Sequence, residues 1–274
     1  MIDLHTHTTA SDGRCTPDEL VARAAAAGIR TLSVTDHDTT AGVAAAERAC
    51  RERQIDLVPG IEITAVADDL DVHVLGYFID RESPALQEFL RAQRDSRLNR
   101  LRRMMQKLGN HGMRLDADAV LQPALDDPTK AAGRPWIARA MVEAGYSSDV
   151  NDAFTRWLSR GRPAFVPRSG APPADVCERI HHAGGAASLA HPGLLKRDDW
   201  IRTFAESGLD AIEAYHSEHD AAATARYLAI AKSLKLAVSG GSDYHATDAH
   251  GAVRLGSINL PDDCFAELAR RARG

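Results

Sequence analysis

The sequence predicts an α/β fold, namely a closed or nearly closed parallel barrel that carries one small, mostly helical insertion. Three observations predict it. Short strand and helix patterns alternate through the first eighty residues and return from about residue 174. Histidine and carboxylate clusters follow the ends of these strands, and the middle of the chain has helical patterns without a strand rhythm. About seven strand–helix units of this length indicate a parallel sheet that winds into a barrel.

The first part of the chain contains four predicted strands and two predicted helices. The helix over Asp18–Ala27 follows Thr16-Pro17, which supply a cap and a first-turn proline, and it stops at Gly28. A second helix is capped by Thr39 or Thr40 and reaches about Gln54. The strands are predicted at Ile2–His7, Arg30–Thr35, Asp56–Thr64 and, after the acidic turn Asp68-Asp69, Val72–Phe78.

The same alternation returns in the last third of the chain. The predicted strands are Ala186–Ala190, Asp210–Tyr215, Lys235–Ser239 and a stretch near Arg254–Ile258. The predicted helices are about Ala174–Ala183, Asp199–Glu206, Ala221–Ser233 and a final one from Pro261.

Between these two parts lies a segment of a different kind. It begins with a long, arginine-rich helix over Pro84–Leu108 and continues with short helices at about Asp116–Leu125, Pro135–Ala144 and Ser148–Leu158. The predicted organisation is therefore a barrel formed by residues 1–82 and 171–274, with residues 83–170 inserted as a helical domain for substrate recognition.

Composition excludes several classes of protein. No run of 18 apolar residues exists, so no transmembrane helix is expected. The four cysteines form no CxxC pair, and the first residues lack an apolar signal segment, so a reduced, cytoplasmic protein is expected. A net charge of -5 argues against binding of duplex DNA through bulk positive potential.

The residues that indicate chemistry share one position, the carboxyl end of a predicted strand, where a parallel barrel has its functional face. Side chains alternate along a strand, so the HxH spacing of His5 and His7 points both imidazoles to one side. His73 lies inside the strand that follows Glu62. The clusters are His5-Thr6-His7 with Asp12, Asp36-His37-Asp38, Glu62, His191, and Asp243-Tyr244-His245.

Imidazoles and carboxylates without thiolates suit Zn²⁺, Mn²⁺ or Fe²⁺. Nine such ligands are too many for one metal ion and fit two or three. Paired cations activate water and stabilise the entering and leaving oxygens of a phosphate ester. The cluster therefore predicts metal-dependent hydrolysis of phosphate esters.

Five segments of the chain resemble the successive motifs of the PHP (polymerase and histidinol phosphatase) superfamily of phosphoesterases. They are DLHTHTTASDG, RTLSVTDHDT, GIEIT, LAHPG and GSDYH, and their order matches along essentially the whole chain. The resemblance implies a distorted (β/α)₇ TIM-like barrel with a trinuclear metal site. The insertion resembles that of the bacterial subgroup of 3′,5′-nucleoside bisphosphate phosphatases, which is related to a 5′-to-3′ exoribonuclease acting on short RNA.

The resemblance also implies a role for each ligand. His5, His7 and Asp243 would hold a first metal, and Glu62 would bridge it to a second metal held by His73 and His191. A hydroxide between the metals would attack phosphorus. His219 would contact phosphate or protonate the leaving oxygen, with a surface position as the alternative. The third metal would be held by Asp12, His37 and His245. The same resemblance implies that Asp12, His37 and Glu62 serve catalysis directly.

Substrate recognition is assigned to the insertion. The chain has Trp136 where related proteins have a histidine after Gly-Arg-Pro, and this indole would stack on a base or ribose or else pack the insertion core. Arginines suit a second phosphate away from the metals because a guanidinium binds phosphate with two parallel hydrogen bonds. The candidates are Arg94, Arg97 and Arg100, which recur every three residues; the resemblance adds Arg134 and either Arg160 or Arg162.

The remaining polar residues are expected to have supporting roles. Asp36 and Asp38 would orient His37 or cap the next helix. Four histidines lack a strand-end position and are expected on the surface or in packing: His111, His181, His182 and His250.

The predicted function is hydrolysis of a phosphate monoester of a small nucleotide, foremost the 3′-phosphate of a 3′,5′-bisphosphate such as pAp. Short RNA oligonucleotides are a further predicted partner. The alternatives are a cyclic-phosphate phosphodiesterase, a histidinol-phosphate phosphatase and, in a different class, a non-catalytic, metal-stabilised PHP module.

Overall fold

A computed structural model of the chain describes residues 1–246 and 253–272. The strands are β1 (Ile2–Asp3), β2 (Thr31–Val34), β3 (Asp56–Ala67), β4 (Leu70–Tyr77), β5 (Ala186–Leu189), β6 (Ala211–His216) and β7 (Ala237–Gly241). The helices that pack on this sheet are α1 (Pro17–Ala26), α2 (Val43–Glu52), α7 (Pro173–His182), α8 (Pro192–Leu195), α9 (Asp198–Glu206), α10 (Ala221–Leu234) and α11 (Asp262–Arg271). Those between β4 and α7 are α3 (Pro84–Asn110), α4 (Ala117–Asp126), α5 (Arg134–Glu143), α6 (Val150–Ala153) and a π-helical turn (Phe154–Leu158).

The seven strands form one sheet in sequence order, β1 to β7. The sheet curls until its first and last strands meet. Backbone hydrogen bonds join Leu4 N–H to the Gly240 carbonyl at 3.2 Å and Asp243 N–H to the His5 carbonyl at 2.8 Å. The predicted TIM-like barrel of the (β/α)₇ type is therefore confirmed as a nearly closed seven-stranded barrel.

The strand pattern predicted a parallel sheet, but the observed sheet is parallel only in part. β4 is antiparallel to both β3 and β5. Asp68 and Asp69 both have positive φ, 45° and 61°, and form a two-residue hairpin turn. Two residues cannot make the crossover that parallel strands need, so β4 reverses direction. The start of β4 consequently lies at the barrel edge where its neighbours end.

The prediction of a strand near Arg254–Ile258 is wrong. The described residues from 253 to 261 are turns and irregular backbone. This segment instead lies against β1, where Ile2 N–H donates to the Asn259 side chain at 2.9 Å and Leu260 N–H donates to the Ile2 carbonyl at 3.1 Å.

The helix starts follow local chemistry to different degrees. α1 begins as predicted, because Thr16 and Glu19 form a reciprocal capping box ahead of Pro17. α2 begins later than predicted, after Gly42 and without a side-chain cap. Thr39 instead donates its hydroxyl to the Thr129 carbonyl at 2.5 Å, which ties this loop to the insertion. None of the described helices has both the length and the apolarity needed to cross a membrane.

The helices between β4 and α7 enclose a hydrophobic core of their own. Leu101, Met104 and Leu108 of α3 pack there against Ile137 and Met141 of α5. Burial of these side chains stabilises the insertion independently of the barrel core. We retain residues 83–170 as the proposed extent of this insertion, with the barrel formed by 1–82 and 171–274.

Candidate active site

The nine predicted metal ligands lie together at one edge of the barrel. His73 reaches this edge because it lies near the start of β4, where it pairs with Thr64 of β3. Glu62 lies inside β3, which continues to Ala67, and the other ligands follow β1, β2, β5 and β7. Their nitrogen and oxygen atoms approach one another at distances from 2.7 to 3.9 Å. The residues are His5, His7, Asp12, His37, Glu62, His73, His191, Asp243 and His245.

Glu62 lies at the centre of this cluster and is fully buried. Its Oε1 lies 2.7 Å from His73 Nδ1 and 3.1 Å from His191 Nε2. Its Oε2 faces three more rings at 2.9 to 3.4 Å, those of His37, His7 and His5. One carboxylate thus contacts five imidazoles, which is the placement that a bridging ligand requires.

The potential ligand atoms form overlapping groups, and within each group all atoms lie within 4.8 Å of one another. The groups that contain only predicted ligands are His7, Asp12, His37 and His245; His5, His191 and Asp243; His5, His7 and Glu62; and His37, Glu62 and His73. The ring of His7 stacks on that of His245, with centroids 4.0 Å apart. His7 therefore lies between Asp243 and Asp12, close to the residues assigned to both the first and the third metal.

Several polar atoms of the cluster are buried without a hydrogen-bond partner. They are His5 Nε2, both ring nitrogens of His7, His37 Nδ1, Glu62 Oε2 and His216 Nε2. A buried polar atom without a partner costs about 1–3 kcal/mol, so a group of them that converges needs a ligand. Imidazole nitrogens and carboxylate oxygens at this spacing fit divalent cations.

Burial and neighbouring charges shift the pKa values of the side chains in the cluster. Burial alone would raise the pKa of Glu62, but the nearby His37, His73 and His5 hold it well below its usual value. Burial lowers the pKa of His7 to about 3, and His245 adds to this effect. Despite burial, Asp12 and Asp243 raise the pKa of His245 to about 10. A metal that binds His245 must therefore displace a proton.

Removal of metal should destabilise the protein. Extraction with a chelator should release more than one Mn, Fe or Zn ion per chain by elemental analysis, and it should lower the Tm. At a free metal concentration 100 times its Kd, each independent site adds about 2.7 kcal/mol to the free energy of unfolding. A protein saturated by a single ion would contradict a site with two or more metals, and an unchanged Tm would contradict metal binding by the folded state.

Two buried residues beside the metal ligands, both on β6, were missed by the sequence analysis. Glu213 is fully buried, and its Oε1 lies 2.9 Å from His5 Nδ1. His216 ends the strand, and its Nε2 lies 3.6 Å from Asp243 Oδ2. His216 met the same strand-end rule as the other histidines, whereas Glu213 lies inside a strand and gave no signal of its own.

Asp36 and Asp38 neither orient His37 nor cap a helix, contrary to the prediction. Asp36 accepts hydrogen bonds from Thr8 N–H, the Thr8 hydroxyl and the Ser11 hydroxyl at 2.6 to 2.7 Å. It therefore shapes the loop that leads to Asp12. Asp38 accepts from Arg97 Nε at 2.5 Å and joins the barrel to α3.

Arg94 and Arg97 are buried and make hydrogen bonds within the protein. Arg97 donates to Asp38, to the Thr64 hydroxyl at 3.0 Å and to the Ala132 carbonyl at 3.3 Å. Every nitrogen of its guanidinium is thus used inside the protein. Arg94 donates to the carbonyls of Pro128 and Asp38 at 2.9 and 3.1 Å. The bonds of Arg97 use three of the five N–H groups, and the Arg97 side chain also lines the small cavity beside the cluster, so its predicted contact with substrate stays a prediction.

Four arginines line a small cavity of about 120 Å³ beside the cluster, namely Arg97, Arg100, Arg134 and Arg168. Arg100, Arg134 and Arg168 all approach one carboxylate, Asp71, at 3.8 to 3.9 Å. Arg100 Nη2 and Arg168 Nε are buried without a hydrogen-bond partner. Burial lowers the pKa of Arg100 to about 9, and repulsion from the adjacent Arg134 adds to this effect. An anion in the cavity would relieve this repulsion.

Trp136 does not have the predicted stacking role. Its side chain belongs to the insertion core, and the residue is only 9% exposed. The indole N–H donates to the Ser11 carbonyl at 3.1 Å, which fixes the insertion against the loop before Asp12. The alternative prediction, packing in the insertion core, describes the observed position.

Arg162 and His219 also lie away from their predicted contacts. Arg162 is exposed and lines neither cavity at the cluster. The two ring nitrogens of His219 are hydrogen bonded to backbone, Nδ1 to the Ala214 carbonyl at 3.0 Å and Nε2 to Gly193 N–H at 3.1 Å. As placed here, His219 supports the loop after His191 and has no nitrogen free for phosphate.

The histidines without a predicted role are consistent with a surface position where they are described. His111, His181 and His182 are exposed. His250 lies outside the described residues.

A second, larger cleft of about 710 Å³ opens on another side of the cluster. Asp12, Asp243 and His245 lie at its base. Its walls combine apolar and basic side chains, among them Pro135, Val150, Phe154, Leu194, Arg14 and Arg139. Asp12, Pro135 and Phe154 line both the cleft and the arginine cavity, so the two spaces adjoin at the cluster.

Comparison with known proteins gives concordant matches. The family model of the PHP domain matches residues 3–128. The chain is 35% identical to the 5′-3′ exoribonuclease Rnm of Escherichia coli, over 89% of this chain and 84% of that protein. It is 34% identical to the 3′,5′-nucleoside bisphosphate phosphatase of Chromobacterium violaceum, over 96% of this chain and 93% of the relative.

The fold has a solved counterpart. A crystal structure from Bifidobacterium adolescentis, described as a metal-dependent phosphoesterase, superposes with a TM-score of 0.89 at 33% identity. The match covers 98% of this chain and 95% of the other. The similarity thus includes the insertion as well as the barrel.

Proposed function

Because the chain belongs to the PHP domain family and is a metal-dependent phosphoesterase, we propose that it removes the 3′-phosphate from a nucleoside 3′,5′-bisphosphate such as pAp. The observation that carries this proposal is the arginine cavity beside the metal ligands. A phosphatase for simple monoesters needs one anion site. A bisphosphate needs a second one, a short distance from the first.

The cavity has the size and the charge of a phosphate site. Its volume of about 120 Å³ is well below the roughly 300–1,000 Å³ of pockets that enclose drug-sized ligands. Arg100, Arg134 and Arg168 present guanidinium groups to it, with buried nitrogens that lack partners. Such groups bind phosphate through charge-assisted hydrogen bonds. We therefore assign the cavity to the 5′-phosphate.

The 3′-phosphate would bind at the metal cluster, which adjoins the arginine cavity. Asp12, His37 and His73 form the wall of the same cavity that faces the cluster. The nine predicted ligands would hold two or three divalent cations, with Mn, Fe or Zn as the proposed metals and Glu62 as the bridge. Bound there, divalent cations activate water and stabilise the charge on a phosphate undergoing displacement. The protein's own contribution is to hold the 3′-phosphate at this cluster while the arginines fix the 5′-phosphate.

A second candidate function, release of the 5′-terminal nucleotide from short RNA, is favoured by the larger cleft. In such a substrate the terminal 5′-phosphate would occupy the arginine cavity and the first phosphodiester would lie at the cluster. The following nucleotide would need room on the far side, where the cleft of about 710 Å³ offers apolar walls and Arg14 and Arg139. Both candidate reactions use the same two anion sites.

Phosphate and nucleotide release from a panel of substrates tests the proposal. With Mn²⁺ added, the wild-type protein should act on pAp with a kcat/KM at least about tenfold above that for 3′-AMP, since one charge-assisted contact contributes about 1.5–3 kcal/mol. A 5′-phosphorylated RNA trinucleotide in the same panel tests the second function against its 5′-hydroxyl form. Equal rates on pAp and 3′-AMP would contradict the bisphosphate assignment. Turnover of only cyclic phosphates or histidinol phosphate would replace it.

A further inference from the structure

One buried carboxylate of β6 contacts two metal ligands from two other strands. Glu213 Oε1 lies 2.9 Å from His5 Nδ1, on the side of that ring away from the cluster. Its Oε2 accepts the backbone N–H of His191 at 2.7 Å. Glu213 is fully buried, and β6 contributes none of the nine predicted ligands. The position of Glu213 behind the predicted ligands therefore needs a functional explanation.

The contact with His5 determines which ring nitrogen is available to a cation. An ionised carboxylate only accepts hydrogen bonds, so His5 Nδ1 carries the proton that is donated to Glu213. His5 Nε2 is then the nitrogen left for a cation, and it faces the cluster 3.4 Å from Glu62 and 3.3 Å from Asp243. This nitrogen is buried and has no hydrogen-bond partner. Glu213 thus sets the tautomer that a metal ligand needs.

The contact with His191 restrains a backbone that few residues adopt. His191 has φ 28° and ψ 59°, in the left-handed region, and Pro192 follows it. A residue before proline favours an extended backbone, so this conformation persists only where the surroundings hold it. The hydrogen bond from His191 N–H to Glu213 supplies such a restraint. It directs the His191 ring towards Glu62, 3.1 Å away.

We propose that Glu213 is a positioning residue for the metal centre, which fixes the His5 ring and the His191 backbone at the same time. In this role it acts through these two ligands rather than by its own contact with substrate or metal. The inference rests on the proposed ligand set. It predicts that loss of Glu213 weakens metal binding more than it weakens the fold.

The other end of β6 offers a matched control. Asp210 immediately precedes the strand, and its Oδ2 accepts the backbone N–H of Ala187 at 2.8 Å and lies 2.7 Å from His181 Nε2. Asp210 therefore also joins one histidine ring and one backbone N–H from outside β6. It does so at the opposite edge of the barrel, away from the cluster. A purely structural contribution would be shared by Glu213 and Asp210.

The experiment compares Mn²⁺ binding to metal-free wild type, Glu213→Gln and Asp210→Asn, by competition with a chelating indicator, with the Tm of each metal-free protein measured alongside. Glutamine keeps the volume of glutamate but can satisfy only one of the two donors. We expect Glu213→Gln to weaken the tightest Mn²⁺ site by about 10- to 100-fold, the usual effect of losing the partner of a metal-bound histidine. Asp210→Asn should leave it within about twofold of wild type.

Unchanged Mn²⁺ affinity in folded Glu213→Gln would overturn the inference while leaving the ligand set intact. Equal losses in Glu213→Gln and Asp210→Asn would overturn it too, because the effect would then belong to the fold. An absence of Mn²⁺ binding by the wild type would overturn the ligand set and this inference together. Should Glu213→Gln not fold without metal, Glu213→Asp takes its place. Its shorter side chain cannot span both contacts, so the same loss is expected and unchanged affinity is again contradictory.

Discussion

Replacement of Glu62 by glutamine should lower kcat on pAp by at least about 10²-fold, the lower range for loss of a key electrostatic contact to a transition state. The variant keeps the shape of the side chain and removes its charge. Glu62 faces five imidazoles with two oxygens, and both oxygens are buried. A glutamine amide would turn an N–H₂ group towards at least two of these rings and displace the cations that they are proposed to hold.

The measurement is the steady-state rate with Mn²⁺, together with the metal content of the purified variant. Glu62→Asp serves as the conservative comparison because it restores the charge on a shorter side chain, and an intermediate rate is expected. Near-normal turnover by Glu62→Gln with a full complement of metal would contradict the bridging role.

Removal of two arginines from the small cavity should change substrate preference without changing the chemistry. We expect Arg100→Gln combined with Arg134→Gln to lower kcat/KM for pAp by roughly 10²- to 10⁴-fold, from two charge-assisted contacts of about 1.5–3 kcal/mol each. An aryl phosphate with a single phosphoryl group reaches only the metal cluster. Its hydrolysis should therefore remain close to the wild-type rate.

Two exposed arginines of α3, the helix that carries Arg100, provide the control. Arg91 and Arg102 also lie on α3, with side chains 68% and 42% exposed, and each forms only a loose surface ion pair. Their double replacement by glutamine should leave both substrates unaffected. Equal losses on pAp and the aryl phosphate in the cavity variant would mean that Arg100 and Arg134 support the metal site. No loss on either substrate would remove the cavity as the 5′-phosphate site.

The position of the insertion explains why the sequence could not identify every arginine at the small cavity. Arg94, Arg97 and Arg100 share one helix face by their spacing, and that much is local. Whether this face meets solvent, substrate or barrel depends on where α3 packs. It packs so that Arg97 meets Asp38, while Arg168, distant in sequence, completes the cavity.

The sequence by itself determined the barrel class, the insertion and the cluster of nine candidate ligands. These follow from local rules, since strand periodicity and strand ends place side chains without knowledge of distant contacts. Only the tertiary structure decided the burial of Arg97 and Trp136 and the position of Glu213 behind His5 and His191. Each depends on which segments, far apart along the chain, come to lie against one another. Spacing along the chain carries no record of those contacts.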